Sequence, residues 1–450
     1  MKLYNTLTRG LQEFEPGGDV VTIYTCGPTV YAYQHIGNYA AFVYWDVLIR
    51  ALNADGRKVK RVLNLTDVGH LTSDADEGED KMAVGAKREG KTVWEVAEFY
   101  ADDFLKHFRG LGLVWPDAIS KATDYIEANI QLVEQLLKDG YAYETSDGIY
   151  YDISKFPNYA DLGKLDLDGL MCGASGRVDC SDEKKNAGDF AIWKFIPEGE
   201  DHAMRWKAFG RDGYPGWHME CVAIIFANLG ETIDIHTGGI EHIPVHHTNE
   251  IAEAEAASGK PLARYWLHNN HVMIDGQKIS KSLGNVVLMP EVLSRGFSYD
   301  EFKFWVQQGH YQKERNFTWE ELAAAAARLA RWRQRAVMRH QVPTEAVPVS
   351  VFDAINDNLN TAQMMADIDE VLKTTVPDED FWLEVDRRLG LQIVDETPAL
   401  DELRAAVLAE YGKAREAKDY ETADRLRDEL LAQGVQVNAT ADAVTYHYIR

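Results

Sequence analysis

The chain has 450 residues, 46% of them hydrophobic, with 11 tryptophans and a formal net charge of −25. That composition belongs to a globular protein of two to four domains with at least one full α/β core, and it excludes a disordered chain. A balance this acidic repels a phosphate backbone, so any nucleic-acid partner must meet a local basic surface.

No apolar run approaches the length of a membrane span, and MKLYNTLTRGLQEFEPGG lacks the apolar core of a signal peptide. The expectation is a cytoplasmic protein with no membrane partner. Cys26, Cys172, Cys180 and Cys221 form no CxxC pair, which argues against a secreted disulfide framework.

In chain order, VVTIYTC (20–26) predicts a buried strand that breaks into GPT. The pattern YAAFVYWDVLIRALNADG predicts a helix closing on Gly56, and KVKRVLNLTDV the next strand. Strand, helix, strand at this spacing implies a parallel sheet with ligands at the C-terminal ends of its strands, where Cys26 to Thr29, Thr66 and Asp67 would face the crevice. The acidic run SDADEGED (73–80) has its glycine and final glutamate at the wrong offsets for a calcium loop and reads as a solvated loop. Helical periodicity covers roughly 92–109 and 124–139. From Tyr141 to Trp193 short strands and Gly/Asp-rich turns mark an insertion between two halves of the sheet, and the spacing of Cys172 and Cys180 within it matches no metal knuckle.

The stretch Gly213 to Glu250 gathers Cys221, five histidines and several acids. His246 and Glu250 stand four apart where the chain enters the helix-favouring run IAEAEAA, so both can project from one helical face toward a common ion. With Cys221 upstream, a zinc site would still need a ligand from elsewhere, and hydrogen-bonded loop histidines are the competing reading. Further on, DGQKISKSLGN makes a cationic loop suited to polyphosphate. The helix EELAAAAARLARWRQRAVMRH carries Arg328, Arg331, Arg333, Arg335 and Arg339, a candidate for the basic surface that the net charge demands, against the alternative of a solvated helix face. The linker QVPTEAVPVS, more helices and a small β element, VQVN with AVTYHYIR, close the chain.

Two short motifs carry a resemblance. HIGN (His35 to Asn38) and KISKS (Lys278 to Ser282), in this order and separation, resemble the HIGH and KMSKS elements of class I aminoacyl-tRNA synthetases. The resemblance implies that His35 and the N-terminus of its helix meet ATP phosphates, that Gly37 admits the adenine ring, that Asn38 supplies a donor, and that Lys278 and Lys281 neutralise charge on pyrophosphate. The catalytic residues it implies are therefore His35, Lys278 and Lys281. Within that class, YTCGPTVY, NLTDV, GASGRVD, DEKKN, DFAIWK, PGWHMECVA, DIHTGG, HHTNEIA, DNLNT and KDYETADRLRDEL resemble the cysteinyl-tRNA synthetase family over nearly the whole chain.

That family's zinc pattern falls on Cys26, Cys221, His246 and Glu250, so the resemblance supplies the ligand that spacing could not. It further implies Cys26, Thr66, Trp217 and His236 around the bound cysteine and Thr29, His35, Gly37, Asn38 and Lys281 around ATP, with Mg²⁺ accompanying the nucleotide. Its partners would be tRNA(Cys), L-cysteine and ATP, with a monomer the working expectation. The fold implied is a doubly wound parallel Rossmann-type core (1–110 and 209–270) split by an insertion (111–208). A KISKS-bearing connecting segment (271–318), a helical bundle touching the tRNA stem (319–395) and a small mixed α/β anticodon-binding-like domain (396–450) would follow.

Departures from the family pattern are Asn38, Gly69 and His70, Thr237 in place of a glycine, Glu241 in place of an aspartate, and Tyr446 where a tryptophan is common. Tyr446 keeps an aromatic ring for base stacking. The rival reading is an ATP-dependent ligase that joins cysteine to an amino sugar, which would lack the C-terminal third. A non-catalytic paralogue is disfavoured by the intact His35, Lys278, Lys281 and zinc pattern.

Overall fold

The computed structural model describes residues 1–68, 81–166, 183–200, 202–280, 283–439 and 444–449. The acidic run 73–80, Cys172, Cys180, the GASGRVD motif and Lys281 lie outside the described residues. The chain divides into two compact units, Met1–Glu291 with Tyr311–Asn316, and Val292–His310 with Phe317–Arg450.

The first unit is built on β1 (Val20–Thr25), α1 (Ile36–Ala54), β2 (Lys58–Leu65), β3 (Ala118–Lys121), α2 (Trp217–Asn228), β4 (Ile233–Gly239), α3 (His246–Ser258) and β5 (Ala263–Asn269). The strands form a five-stranded sheet in the order β5-β4-β1-β2-β3. All four pairings are parallel, with Thr25 opposite Leu63 on one side and Thr237 on the other. The chain starts in the middle, winds out to β3 and returns to the opposite side at β4. This is the doubly wound order, and it opens a crevice where β1 and β4 diverge at their C-terminal ends.

Every residue of β4 is buried, as expected for a central strand covered on both faces. Its register is braced by polar groups. Thr237 Oγ1 lies 3.1 Å from Thr25 Oγ1, which accepts the Nε–H of the buried Arg61 at 3.1 Å. Thr237, which stands where the family pattern has a glycine, therefore ties β4 to β1 and, through Arg61, to β2. Between β3 and α2 lies a second sheet of five strands, all paired antiparallel. Its Tyr151, Phe190 and Trp193 share one apolar core with Met219, Val222 and Ala252 from α2 and α3. That shared core fixes the two helices that carry Cys221, His246 and Glu250.

In the second unit the helix Trp319–Val337 starts on a Thr318 cap and buries Leu322, Ala325, Leu329 and Trp332. Its arginines, with Arg339 just past its end, correct the expectation of a free basic face. Arg328 pairs with Asp369 at 2.8 Å, Arg333 with Asp300 at 2.8 Å, Arg335 donates to the Thr375 carbonyl at 3.0 Å and Arg339 to Thr397 Oγ1 at 2.8 Å. Arg331 alone of the five is exposed. Two acids and two threonines, distant in sequence, draw these four long side chains inward. The helices Glu402–Glu416 and Tyr420–Ala432 pack on a hairpin, Val435–Ala439 with Val444–Tyr448. Tyr446 is 5% exposed in their common core with Leu426 and Leu430, so it packs there and is not a free stacking platform. Among the described residues no helix is long and apolar enough to cross a membrane.

Trp332 is buried, donates its indole N–H to Asp369 at 2.6 Å and meets Phe304 edge-on. Trp332→Ala should destabilise the second unit by about 3–5 kcal/mol. Thermal unfolding followed by near-UV circular dichroism reads this as a lowered transition, and an unchanged transition would contradict the packing described.

Candidate metal centre and nucleotide pocket

A cavity of about 490 Å³ opens at the strand ends where β1 and β4 part. The residue after β1 is Cys26, whose backbone N–H donates to the Thr237 carbonyl of β4 at 3.1 Å. Gly27 follows with its N–H on Asn64 Oδ1 at 2.7 Å. A Cβ on Gly27 would sit 1.7 Å from the Asn64 carbonyl oxygen, so only glycine lets this turn lie against β2. Asn64 also donates to Thr66 Oγ1 at 3.0 Å, and Val30 N–H to the Thr66 carbonyl at 3.1 Å, which sets Thr29 and Thr66 side by side on the cavity wall. Asn64 organises this wall, and sequence reasoning did not single it out, although the NLTDV motif contains it.

From α2 come Trp217 and Cys221, and from the first turn of α3 comes His246; all three line the cavity. One ligand atom from each of Cys26, Cys221, His246 and Glu250 lies within 4.8 Å of the others. His246 Nε2 is 2.8 Å from Glu250 Oε1 and 3.5 Å from Cys221 Sγ. A second donor group satisfies the same limit, Cys26, His236, His247 and Glu250. The first fits an ion that faces the cavity better, because Cys26, Cys221 and His246 line the cavity while His236 and His247 do not. Two thiols, an imidazole and a carboxylate suit a four-coordinate, borderline-soft divalent ion such as zinc.

The resemblance puts His236 at the substrate. The structure sets it behind Glu250, with Nε2 2.6 Å from Oε2, fully buried and stacked on Trp266. Its position suits holding the carboxylate in place. His242, Glu241 and His271 line the cavity as well, Glu241 facing His271 at 3.8 Å.

Burial opposes charge throughout the donor cluster, and the neighbours decide the outcome. Although burial raises the Glu250 pKa, His236 and His246 together hold it well below the usual carboxylate range. Burial also works against a charged His246, but Glu250 and Cys26 outweigh it and lift the imidazole to about 10. Of the two thiols, Cys26 is the one held low, against burial, by the Cys221 S–H and the imidazoles; Cys221 is pushed up by donating to Cys26 and by burial.

The other side of the cavity starts at α1. His35 is its N-cap, with Nδ1 accepting the Asn38 N–H at 3.3 Å while Asn38 Oδ1 accepts the His35 N–H at 3.1 Å. The asparagine that ends HIGN thus closes a reciprocal capping box, which leaves the positive helix terminus facing the cavity. Ile36 N–H donates to the Val287 carbonyl at 3.0 Å, bringing the HIGN turn against the segment just past KISKS. Lys278 is exposed and lines the cavity with Thr29, His35, Gly37 and Asn38. Asn285 shapes the loop by accepting Ser280 N–H at 2.8 Å and donating to the Lys278 carbonyl at 3.0 Å.

Residues 13–327 match the family model for the class I (C) tRNA synthetase catalytic domain. The chain is 35% identical to cysteine–tRNA ligase of Treponema denticola, over 99% of both chains. It is 38% identical to cysteine–tRNA ligase of Thermus thermophilus, over 98% of both. The chain belongs to the cysteine–tRNA ligase family of class I synthetases. Another relative, cysteine–tRNA ligase 1 of Burkholderia lata, is 39% identical over 98% of this chain and 96% of its own. These family matches run through the C-terminal third, so the amino-sugar ligase reading is not favoured. A solved methionyl-tRNA synthetase of Mycobacterium tuberculosis, in complex with methionyl-adenylate, shares the fold with a TM-score of 0.60 at 15% identity, over 87% of this chain and 91% of its own.

Metal ligands must be deprotonated, and in this cluster Glu250 and Cys26 favour the protonated form of His246 well above neutral pH. Metal uptake by this cluster at neutral pH would expel that proton and the one on the raised Cys221 thiol. Apparent zinc affinity should rise about tenfold per pH unit for each proton displaced between about pH 6 and pH 9. Chelator competition across that window reads the slope: loss of both protons predicts about a hundredfold per pH unit, and a slope of about tenfold, from Cys221 alone, would contradict a protonated His246.

Proposed function

We propose that this protein activates L-cysteine with ATP and transfers it to tRNA(Cys), using Cys26, Cys221, His246 and Glu250 to hold zinc beside the reacting groups. The observation that carries the reading is the meeting of this donor cluster and the α1 N-terminus in one cavity at the β1/β4 switch point. Zinc held there supplies a soft acceptor for the substrate thiolate, which the hydroxyl of serine and the methyl of alanine cannot match.

Around that ion the chain's own residues position and neutralise. Trp217, whose ring centroid is 4.4 Å from that of His246, and Thr66 close the amino-acid side. Glu250 is set by His236 and stays charged. On the nucleotide side, His35 and the positive N-terminal end of α1 meet the phosphates, Gly37 and Thr29 border the nucleoside, and Asn38 keeps His35 in place. The cysteine carboxylate attacks the α-phosphorus of ATP, the bond to the bridging oxygen breaks, and pyrophosphate leaves with Mg²⁺. Lys278 and Lys281 stabilise the charge gathering on that leaving group. In the second step the terminal ribose hydroxyl of tRNA attacks the acyl carbon and AMP departs. No enzyme nucleophile is required; the acceleration comes from positioning and electrostatics.

Purified protein should catalyse cysteine-dependent exchange between ATP and pyrophosphate and should charge tRNA(Cys). Lys278→Ala should lower the exchange rate on the order of 10²-fold with the fold intact. Exchange without transfer to tRNA would overturn the synthetase reading. Metal analysis at saturating zinc tests the ligand set: Cys221→Ala should fail to hold an equivalent, whereas His247→Ala should hold one. The opposite pattern would assign the ion to the second donor group.

A further inference from the structure

Behind Cys26 a line of hydrogen bonds runs away from the cavity. Cys26 Sγ lies 3.3 Å from His247 Nε2, His247 Nδ1 lies 2.7 Å from His268 Nε2, and His268 Nδ1 lies 2.8 Å from Thr6 Oγ1. His247, His268 and Thr6 are all buried. Thr6 is held by its own backbone N–H, which donates to the Trp266 carbonyl of β5 at 2.8 Å. None of these three residues lines the cavity.

A neutral imidazole donates from one nitrogen and accepts at the other. Two such rings between a sulfur and a hydroxyl must therefore point the same way, toward Cys26 or toward Thr6. A thiol could serve either direction. A thiolate can only accept, so a Cys26 that ligates a metal leaves one arrangement. Thr6 O–H donates to His268 Nδ1, His268 Nε2–H to His247 Nδ1, and His247 Nε2–H to the Cys26 sulfur.

We infer that Thr6 and His268 are positioning residues for the metal centre, selecting the His247 tautomer that donates a hydrogen bond to the Cys26 sulfur. This rests on the assignment of Cys26 as a ligand. An N–H on the sulfur stabilises its lone pairs and fixes its direction, so Cys26 is favoured as a thiolate and held aimed at the ion. Orientation of this ligand is thus set from the N-terminal segment, before the first strand of the core begins.

The test uses zinc affinity by chelator competition and the sulfur-to-cobalt charge-transfer band of the Co²⁺-substituted full chain. Thr6→Val keeps the shape and removes the hydroxyl; Thr6→Ser restores it. His268→Leu removes the donor to His247, whereas His268→Gln returns an N–H. Thr6→Val should weaken zinc binding several-fold and move the band to lower energy, with Thr6→Ser close to wild type. His268→Leu should cost roughly 10–100-fold, partly recovered in His268→Gln. Folded Thr6→Val and His268→Leu proteins with wild-type affinity and an unmoved band would overturn the inference; if His268→Leu does not fold, the Thr6 pair decides. Cys26→Ser separates the two readings. If it loses the metal while Thr6→Val is silent, the hydrogen-bond chain alone fails, and if it binds an equivalent with an unchanged band, the ligand assignment fails and takes the inference with it.

Discussion

The site depends on the parallel pairing of β1 with β4. That register places Thr25 opposite Thr237 and lets the Cys26 N–H reach the Thr237 carbonyl. A slip by one residue would turn Cys26 to the other face of the sheet and separate it from α3. The threonine pair and the buried Arg61 lock this register from the side. The side chains of the donor cluster can then come from the two halves of a split core, because the sheet that joins them cannot slide.

A second constraint is electrostatic. Cys26, Cys221, His236, His246, His247 and Glu250 crowd together with little access to water. Burying so many ionisable groups is costly unless each finds a partner, and here each carboxylate oxygen and sulfur meets an imidazole or another thiol. Such an arrangement favours function over stability. Beyond the donor atoms, His236 sets Glu250 and His247 faces Cys26, so the cluster is oriented from behind while its open side meets the cavity.

How much of this the sequence reveals follows from distance along the chain. Strands 20–25 and 58–65 and helix 36–54 are legible because their apolar and β-branched patterns are local, and the doubly wound class follows from their alternation. The pairing of His246 with Glu250 is local too, one helical turn apart. Cys26 enters the donor group only through family resemblance, since nothing in local spacing links it to Cys221. The arginines of helix 319–337 read as a candidate basic surface because the acidic partners of Arg328 and Arg333, Asp369 and Asp300, lie on other helices. Tyr446 looked free to stack, but the hairpin's inward face buries it, and a short strand does not declare which face is inward. His236, which the resemblance sets at the substrate, lies fully buried against Glu250 and Trp266 in this structure.

The most direct test of the account is the sulfur coordination of zinc in the loaded protein, measured by X-ray absorption before and after amino acid is added. The account predicts that the number of sulfur neighbours rises by one with L-cysteine and stays constant with L-serine. An unchanged sulfur count on adding L-cysteine, in protein that still activates it with ATP, would contradict the claim that the ion in this cavity recognises the substrate.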